Sequence, residues 1–289
     1  EVIDLLPKNH QSIYFTNSGT EAIEGAIKLV KKATKKSKII AAKNSYHGST
    51  YGSLSLLGRR KQKIGYYPMM PNIRFIKFNS NSDINEIDNK TAGVILETIQ
   101  GGAGFIIPKP GYLEKIKERC EKVGALLILD EIQPGFGRTG HFFAFEKYNI
   151  SPDILVLGKG MGGGLPIGAF TSSKKHMRLF EKKPRLGHIT TFGGNPLVAA
   201  AALATIKEIK DTKLLDNISN KEYLFRKYLI HEKIKKINGK GLMLALIFES
   251  KEIANKLINE CIKEGLLLFW LLWEKKAVRI SPPLNIKNK

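Results

Sequence analysis

The chain has 289 residues, 43% hydrophobic and 25% charged, an ordinary globular composition with room for a large core and two domains. Its net charge of +21 comes from 38 Lys and 9 Arg against 26 acids, and the lysines are spread along the chain. Duplex recognition favours clustered Arg forks, so a lysine-rich bias on exposed faces is the plainer reading, with attraction of acidic substrates as its by-product.

Cys120 and Cys261 form neither a disulfide framework nor a metal-ligand spacing, which suits a reducing cytoplasm. The apolar run Leu266–Trp273 is far shorter than the roughly 20 residues of a membrane span. No basic leader or cleavage signal opens the chain.

Residues 1–6 read as the end of a helix already in progress. Ile13-Tyr-Phe is a short apolar run, and Ser18-Gly-Thr-Glu21 is a capping box that opens a helix. That helix carries Ala22, Ile23, Ala26, Ile27, Leu29 and Val30 at three-to-four spacing. Strands are expected at Ile39–Ala42, Ile73–Ile76 and Ala92–Leu96, the last apolar on both faces. A helix over 111–123, strands over 125–129, 154–157 and 167–171, and a long alanine-rich helix from Asn195 follow. This alternation predicts an α/β fold with a mostly parallel sheet flanked by helices. After about residue 210 charged helices surround Gly239–Ile247, which reads as a smaller α+β domain. The expected division is 1–205 and 206–289.

Two residues at strand ends suggest the chemistry. Lys159 closes the run Asp153–Gly158 and enters the glycine loop Gly160–Gly164, while Asp130 closes Leu126–Leu129. An accessible amine can form a Schiff base, and a desolvated carboxylate can hold the protonated ring nitrogen of pyridoxal phosphate (PLP). The bland alternatives are a solvated lysine and an aspartate serving as a cap or an ion pair. A P-loop is excluded, because Gly160 rather than Ser or Thr follows the lysine.

Further candidates are weaker one by one. Ser18, Gly19 and Thr20 sit where a helix start can take a phosphate, or merely cap. Tyr46 and His47 precede a loop rich in Gly, Ser and Thr, where an aromatic can stack on a ring or anchor the loop. Gln133 could reach a ring hydroxyl. Thr191 precedes a turn into a helix and could donate to phosphate. Arg279, among apolar neighbours, either pairs internally or clamps a carboxylate.

Their joint order is specific. The series SGTEA, YHG, LDEIQPGFGRTG, LGKGMGGGLPIGA, TTFGGNP and RISPPL closely resembles class III aminotransferases, fold-type-I PLP enzymes that include acetylornithine, ornithine and 4-aminobutyrate aminotransferases. The resemblance covers Phe15 to Leu284. It implies that Lys159 bonds the cofactor and shuttles the Cα proton, and that Asp130 pairs with the pyridine nitrogen. It further implies that Gln133 contacts the phenolic oxygen, Gly19 and Thr20 bind phosphate, and Tyr46 stacks on the ring. Thr191 would reach the cofactor of a neighbouring subunit, so a homodimer is expected. Arg279 would bind the carboxylate of 2-oxoglutarate or glutamate, and Glu97 matches a glutamate near the cofactor. The implied reaction is ping-pong transamination from an acetylornithine- or ornithine-like ω-amine to a 2-oxo acid. A racemase or aminomutase of the same fold is the first alternative. An inactive homologue acting as a binding subunit is the second, and a nucleic-acid binder the third.

The chain departs from the resemblance in two ways. The family run Glu-Pro-x-Gln-Gly-Glu is here Glu97-Thr-Ile-Gln-Gly-Gly102, so the glutamate that normally pairs with the carboxylate-binding arginine is missing. Looser donor specificity, or another group covering Arg279, is expected. Both ends also look abrupt, so a truncated fragment is expected.

Overall fold

The computed structural model describes residues 1–287. The apolar runs become strands β1 (Ser12–Thr16), β2 (Lys38–Ala42), β3 (Ile73–Ile76), β4 (Thr91–Glu97), β5 (Leu126–Asp130), β6 (Ile154–Leu157) and β7 (Gly168–Ser172). Helices α1 (Gly19–Thr34), α2 (Tyr51–Ser55), α3 (Tyr112–Val123), α4 (Lys174–Met177) and α5 (Pro196–Asp211) intervene or follow. The sheet order is β1-β7-β6-β5-β4-β2-β3. From β6 to β3 all neighbours are parallel, but β7 runs against both β6 and β1. No crossover helix separates β6 from β7; the glycine loop turns the chain straight back, and a direct return gives an antiparallel pair.

All seven residues of β4 are buried, as its two-sided apolar run predicts. Alternate strand residues feed opposite faces. Ile40, Val94, Leu96, Leu127, Leu129 and Leu155 pack with α3 and α5, while Ile39, Ala41, Ile95, Ile128 and Val156 pack with α1. Both faces of the sheet are therefore covered by helices.

Two local readings change. Ser18 caps α1 by accepting from Glu21 N at 3.4 Å, but the return half of the capping box is absent. The Glu21 carboxylate instead accepts from Asn17 N and Nδ2, at 2.8 and 3.0 Å, one residue further out. Residues 1–6 hold only a single 3-10 turn, Ile3–Leu5.

A second, antiparallel sheet takes β8 (Ile234–Lys240), β9 (Met243–Phe248), β10 (Phe269–Trp270) and β11 (Ala277–Ile280) in the order β10-β11-β9-β8. Helices α6 (Ile218–Tyr228) and α7 (Lys251–Lys263) accompany it, with Phe225, Ala254 and Ile258 packed on Leu244, Leu246 and Val278. The expected 205/206 division falls inside α5, whose Ile206 and Ile209 still pack on the first core. No helix of the described residues is long and apolar enough to cross a membrane.

Glu131, just past β5, is fully buried and ties the following loop to the sheet. Its oxygens accept from Ala144 N at 3.0 Å and Phe145 N at 2.9 Å. Burial outweighs these bonds and pushes its carboxyl up to about 7. The native state thus keeps a proton that the unfolded chain gives up near 4.5, so this group stabilises fully below about pH 4.5. That contribution is lost as pH rises through about 7. Unfolding in denaturant from pH 5 to 8 should show stability falling by about 1–3 kcal/mol. Glu131→Gln should reduce this slope, leaving the like-signed share of buried Glu97, and an unchanged slope would place its origin elsewhere.

Candidate active site

The sequence places its polar candidates where parallel strands end, and the fold gathers those ends along one edge. Gly19 and Thr20 follow β1, Tyr46 and His47 follow β2, Glu97 and Asp130 close β4 and β5, and Lys159 lies just past β6. The carboxyl edge of an open α/β sheet is the usual ligand crevice. Here these residues, with Gln133 and with Arg279 from β11 of the other sheet, line one cavity of about 1590 Å³.

The cavity floor is acidic. Glu97 and Asp130 stand side by side, paired in the β4–β5 register. Asp130 is 4% exposed, with Oδ2 at 2.8 Å from His47 Nδ1 and Oδ1 accepting from Ile132 N at 3.0 Å. Two donors hold its carboxylate in one orientation. His47 Nε2 is buried with no partner among the described residues. Glu97 accepts from Tyr46 N at 3.0 Å and Gly101 N at 2.8 Å. Burial and then the Asp130 charge raise its carboxyl, opposed by His47, to about 7.

One side of the cavity is a helix start. Among the described residues the N–H groups of Gly19 and Thr20 have no acceptor, as expected for the first turn of α1. A side chain at Gly19 would press on Ile132, with Cδ1 2.6 Å from the position of a Cβ. Thr20 Oγ1 lies 2.8 Å from Thr50 Oγ1 and 2.7 Å from Ser53 Oγ. The sequence signal for that hydroxyl cluster was the loop rich in Gly, Ser and Thr; Ile132 gave none.

Lys159 has φ +43°, a left-handed conformation rare for a residue with a side chain. Its side chain is exposed to the cavity, and among the described residues its amine has no ion pair or hydrogen bond. Tyr46 is half-buried, its hydroxyl 3.1 Å from Ser49 Oγ. Two candidates lie off this wall. The Ser18 hydroxyl is engaged in capping. Thr191 lines a separate, shallower cleft with Asn17, Glu21, Glu24 and His188.

PLP, the group implied by the sequence, fits this set. The free N–H groups of α1 suit its phosphate, the anchored Asp130 a pyridinium N–H, the Tyr46 ring a flat heterocycle, and the unpaired Lys159 amine an aldehyde.

A family model described as "Aminotransferase class-III" matches residues 1–289. The chain belongs to this family. It is 40% identical to the acetylornithine aminotransferase of Clostridium acetobutylicum, over 99% of this chain and 76% of that one. It is 39% identical to the [LysW]-aminoadipate semialdehyde/glutamate semialdehyde transaminase of Sulfurisphaera tokodaii, over 85% of this chain and 64% of that one. The solved ornithine aminotransferase of Toxoplasma gondii, described with partial occupancy of PLP at its active site, superposes with a TM-score of 0.89 at 32% identity. That match covers 96% of this chain and 69% of the other.

Within this class-III aminotransferase, position 102 has a neighbour that sequence reading missed. A Cβ at Gly102 would stand 2.6 Å from Nε1 and 2.7 Å from Cδ1 of Trp273. The Gly102 carbonyl also accepts from Trp273 N at 2.8 Å and Glu274 N at 3.3 Å. Even Gly102→Ala should therefore overpack, costing about 1–3 kcal/mol in denaturant unfolding. Adding Trp273→Ala should recover part of the loss contributed by the clash. Equal losses with and without the indole would refute that contact.

Proposed function

We propose that this aminotransferase moves an amino group from an acetylornithine- or ornithine-like ω-amine to 2-oxoglutarate, using PLP in a ping-pong cycle. The observation that carries the reading is the convergence of Lys159, Asp130 and the α1 N-terminus on one cavity. The names of the relatives favour the donor class.

Bound PLP supplies a carbonyl that condenses with amines and a protonated ring that withdraws electrons from the substrate Cα. Lys159 Nζ would hold the cofactor's aldehyde carbon and would serve as the base that moves the proton at the substrate Cα. The Asp130 carboxylate would keep a proton on the ring nitrogen, and His47 and the Ile132 N–H keep that carboxylate aimed. Tyr46 would cover a ring face and Gln133 would reach the phenolic oxygen. Gly19 and Thr20 would donate to the phosphate, and Glu97 fixes the Tyr46 backbone. Arg279 takes a substrate carboxylate bidentately. Thr191, away from this cavity, is assigned to the phosphate of a second copy, so the working unit is a homodimer. The smaller domain, expected over 206–289, is assigned to the part that follows α5, whose Ile206 and Ile209 stay with the first core. Two free cysteines fit a reducing cytoplasm.

The test is the purified full chain with added PLP. It should turn yellow, and borohydride should fix the cofactor to Lys159, located by peptide mass. A screen of amino donors with 2-oxoglutarate should find terminal amines best. A chain that takes up no PLP would defeat the reading; a best donor reacting only at its α-amine would defeat the donor class alone.

A further inference from the structure

Arg279 poses a problem of charge. It lines the cavity from β11, and among the described residues it forms no ion pair and no side-chain hydrogen bond. The space a side chain at position 102 would enter is filled by the Trp273 indole, and the neighbouring Glu274 forms no ion pair with Arg279 among the described residues. Trp273 is itself held in place: Arg59 lies over its ring at 5.2 Å, and the Tyr46 ring sits 6.4 Å away. One group does cover Arg279. Its guanidinium lies 5.3 Å from the centroid of the Phe269 ring. Phe269 and Arg279 are direct cross-strand partners in the β10–β11 pair, so the register itself stacks them.

We propose that Phe269 is a specificity-determining residue that acts as a neutral cover over Arg279, taking the part that a carboxylate would otherwise play. The geometry suits such a cover. Phe269 is 58% exposed, sits on a strand of two residues, and lines the same cavity. Only β11 holds β10 in the sheet, so the ring can leave without disturbing the core. A cation–π contact at an exposed site is weak, so a substrate carboxylate with two charge-assisted hydrogen bonds displaces it readily. A donor that presents no carboxylate at this point leaves the cover shut, and its methylene chain packs on the ring. One chain thereby handles a dicarboxylate acceptor and a terminal amine without an acid at position 102. The donor half of this inference rests on the functional reading above; the cover itself does not.

The test is calorimetric binding of 2-oxoglutarate to the PLP-loaded protein, beside donor kinetics. Phe269→Ala should tighten 2-oxoglutarate by about two- to fivefold, since no cover must be moved. The same variant should raise KM for an ω-amine donor about tenfold, through lost methylene contact. Phe269→Tyr should restore both values. Circular dichroism checks the fold, which truncation of so exposed a ring should leave intact. Unchanged or weaker 2-oxoglutarate binding in Phe269→Ala overturns the cover whatever the turnover shows, as does wild-type protein that fails to bind 2-oxoglutarate. Tighter binding in a protein that turns over no ω-amine upholds the cover and removes only the donor assignment.

Discussion

Lys159→Ala is expected to lower transamination by at least about 10⁴, because the proposed covalent attachment and Cα proton transfer both rest on one amine. The loss should be one of chemistry and not of folding. The amine has no partner among the described residues and borders the cavity, so its removal should change stability by no more than about 0.5 kcal/mol. Single-turnover absorbance with excess donor measures the first quantity and denaturant unfolding the second. The variant should retain PLP only reversibly, with nothing fixed by borohydride. Turnover within tenfold of wild type would remove Lys159 from its role.

Asp130→Asn separates charge from shape. The amide oxygen can still accept from Ile132 N, but the side chain can no longer be an anion opposite a ring nitrogen. A loss in kcat of about 10²–10³ is expected, in the range seen when one preorganised electrostatic partner is removed. Stability should fall by about 1–3 kcal/mol, because the buried His47 Nδ1 loses its charged acceptor. Asp130→Ala should cost more, about 3–5 kcal/mol, as it strips the buried pair of one member. An Asn variant with wild-type kcat would show that the ring charge is not set by this residue.

The first sheet was legible because its strands are short apolar runs with one meaning each. Ala92–Leu96, apolar on both faces, has few folds to choose from. The antiparallel turn of β7 was less legible, since Ile167–Thr171 looks the same in either direction and only the missing crossover helix decides it. Among the site residues, those at strand ends announced themselves as polar groups where an apolar run stops. Phe269 and Trp273 did not. Both lie in Leu266–Trp273, whose composition suggests packing, and their meaning comes from cross-sheet register and from the space opened at Gly102. The capping box misled for a local reason: Asn17 offers the Glu21 carboxylate two donors, one more than the Ser18 N–H it was expected to take.

The pairing of Glu97 with Asp130 across β4 and β5 has a wider meaning for a chain of net charge +21. The floor of the cavity is acidic, while Arg138, Arg279 and Lys159 border the same space. The site thus carries both signs, separated in space, inside a molecule of one net sign. Such a field sorts by orientation as well as by charge: a molecule cationic at one end and anionic at the other is drawn in one way round. Bulk charge brings anions to the surface, and the buried register of two strands decides which end of them enters first.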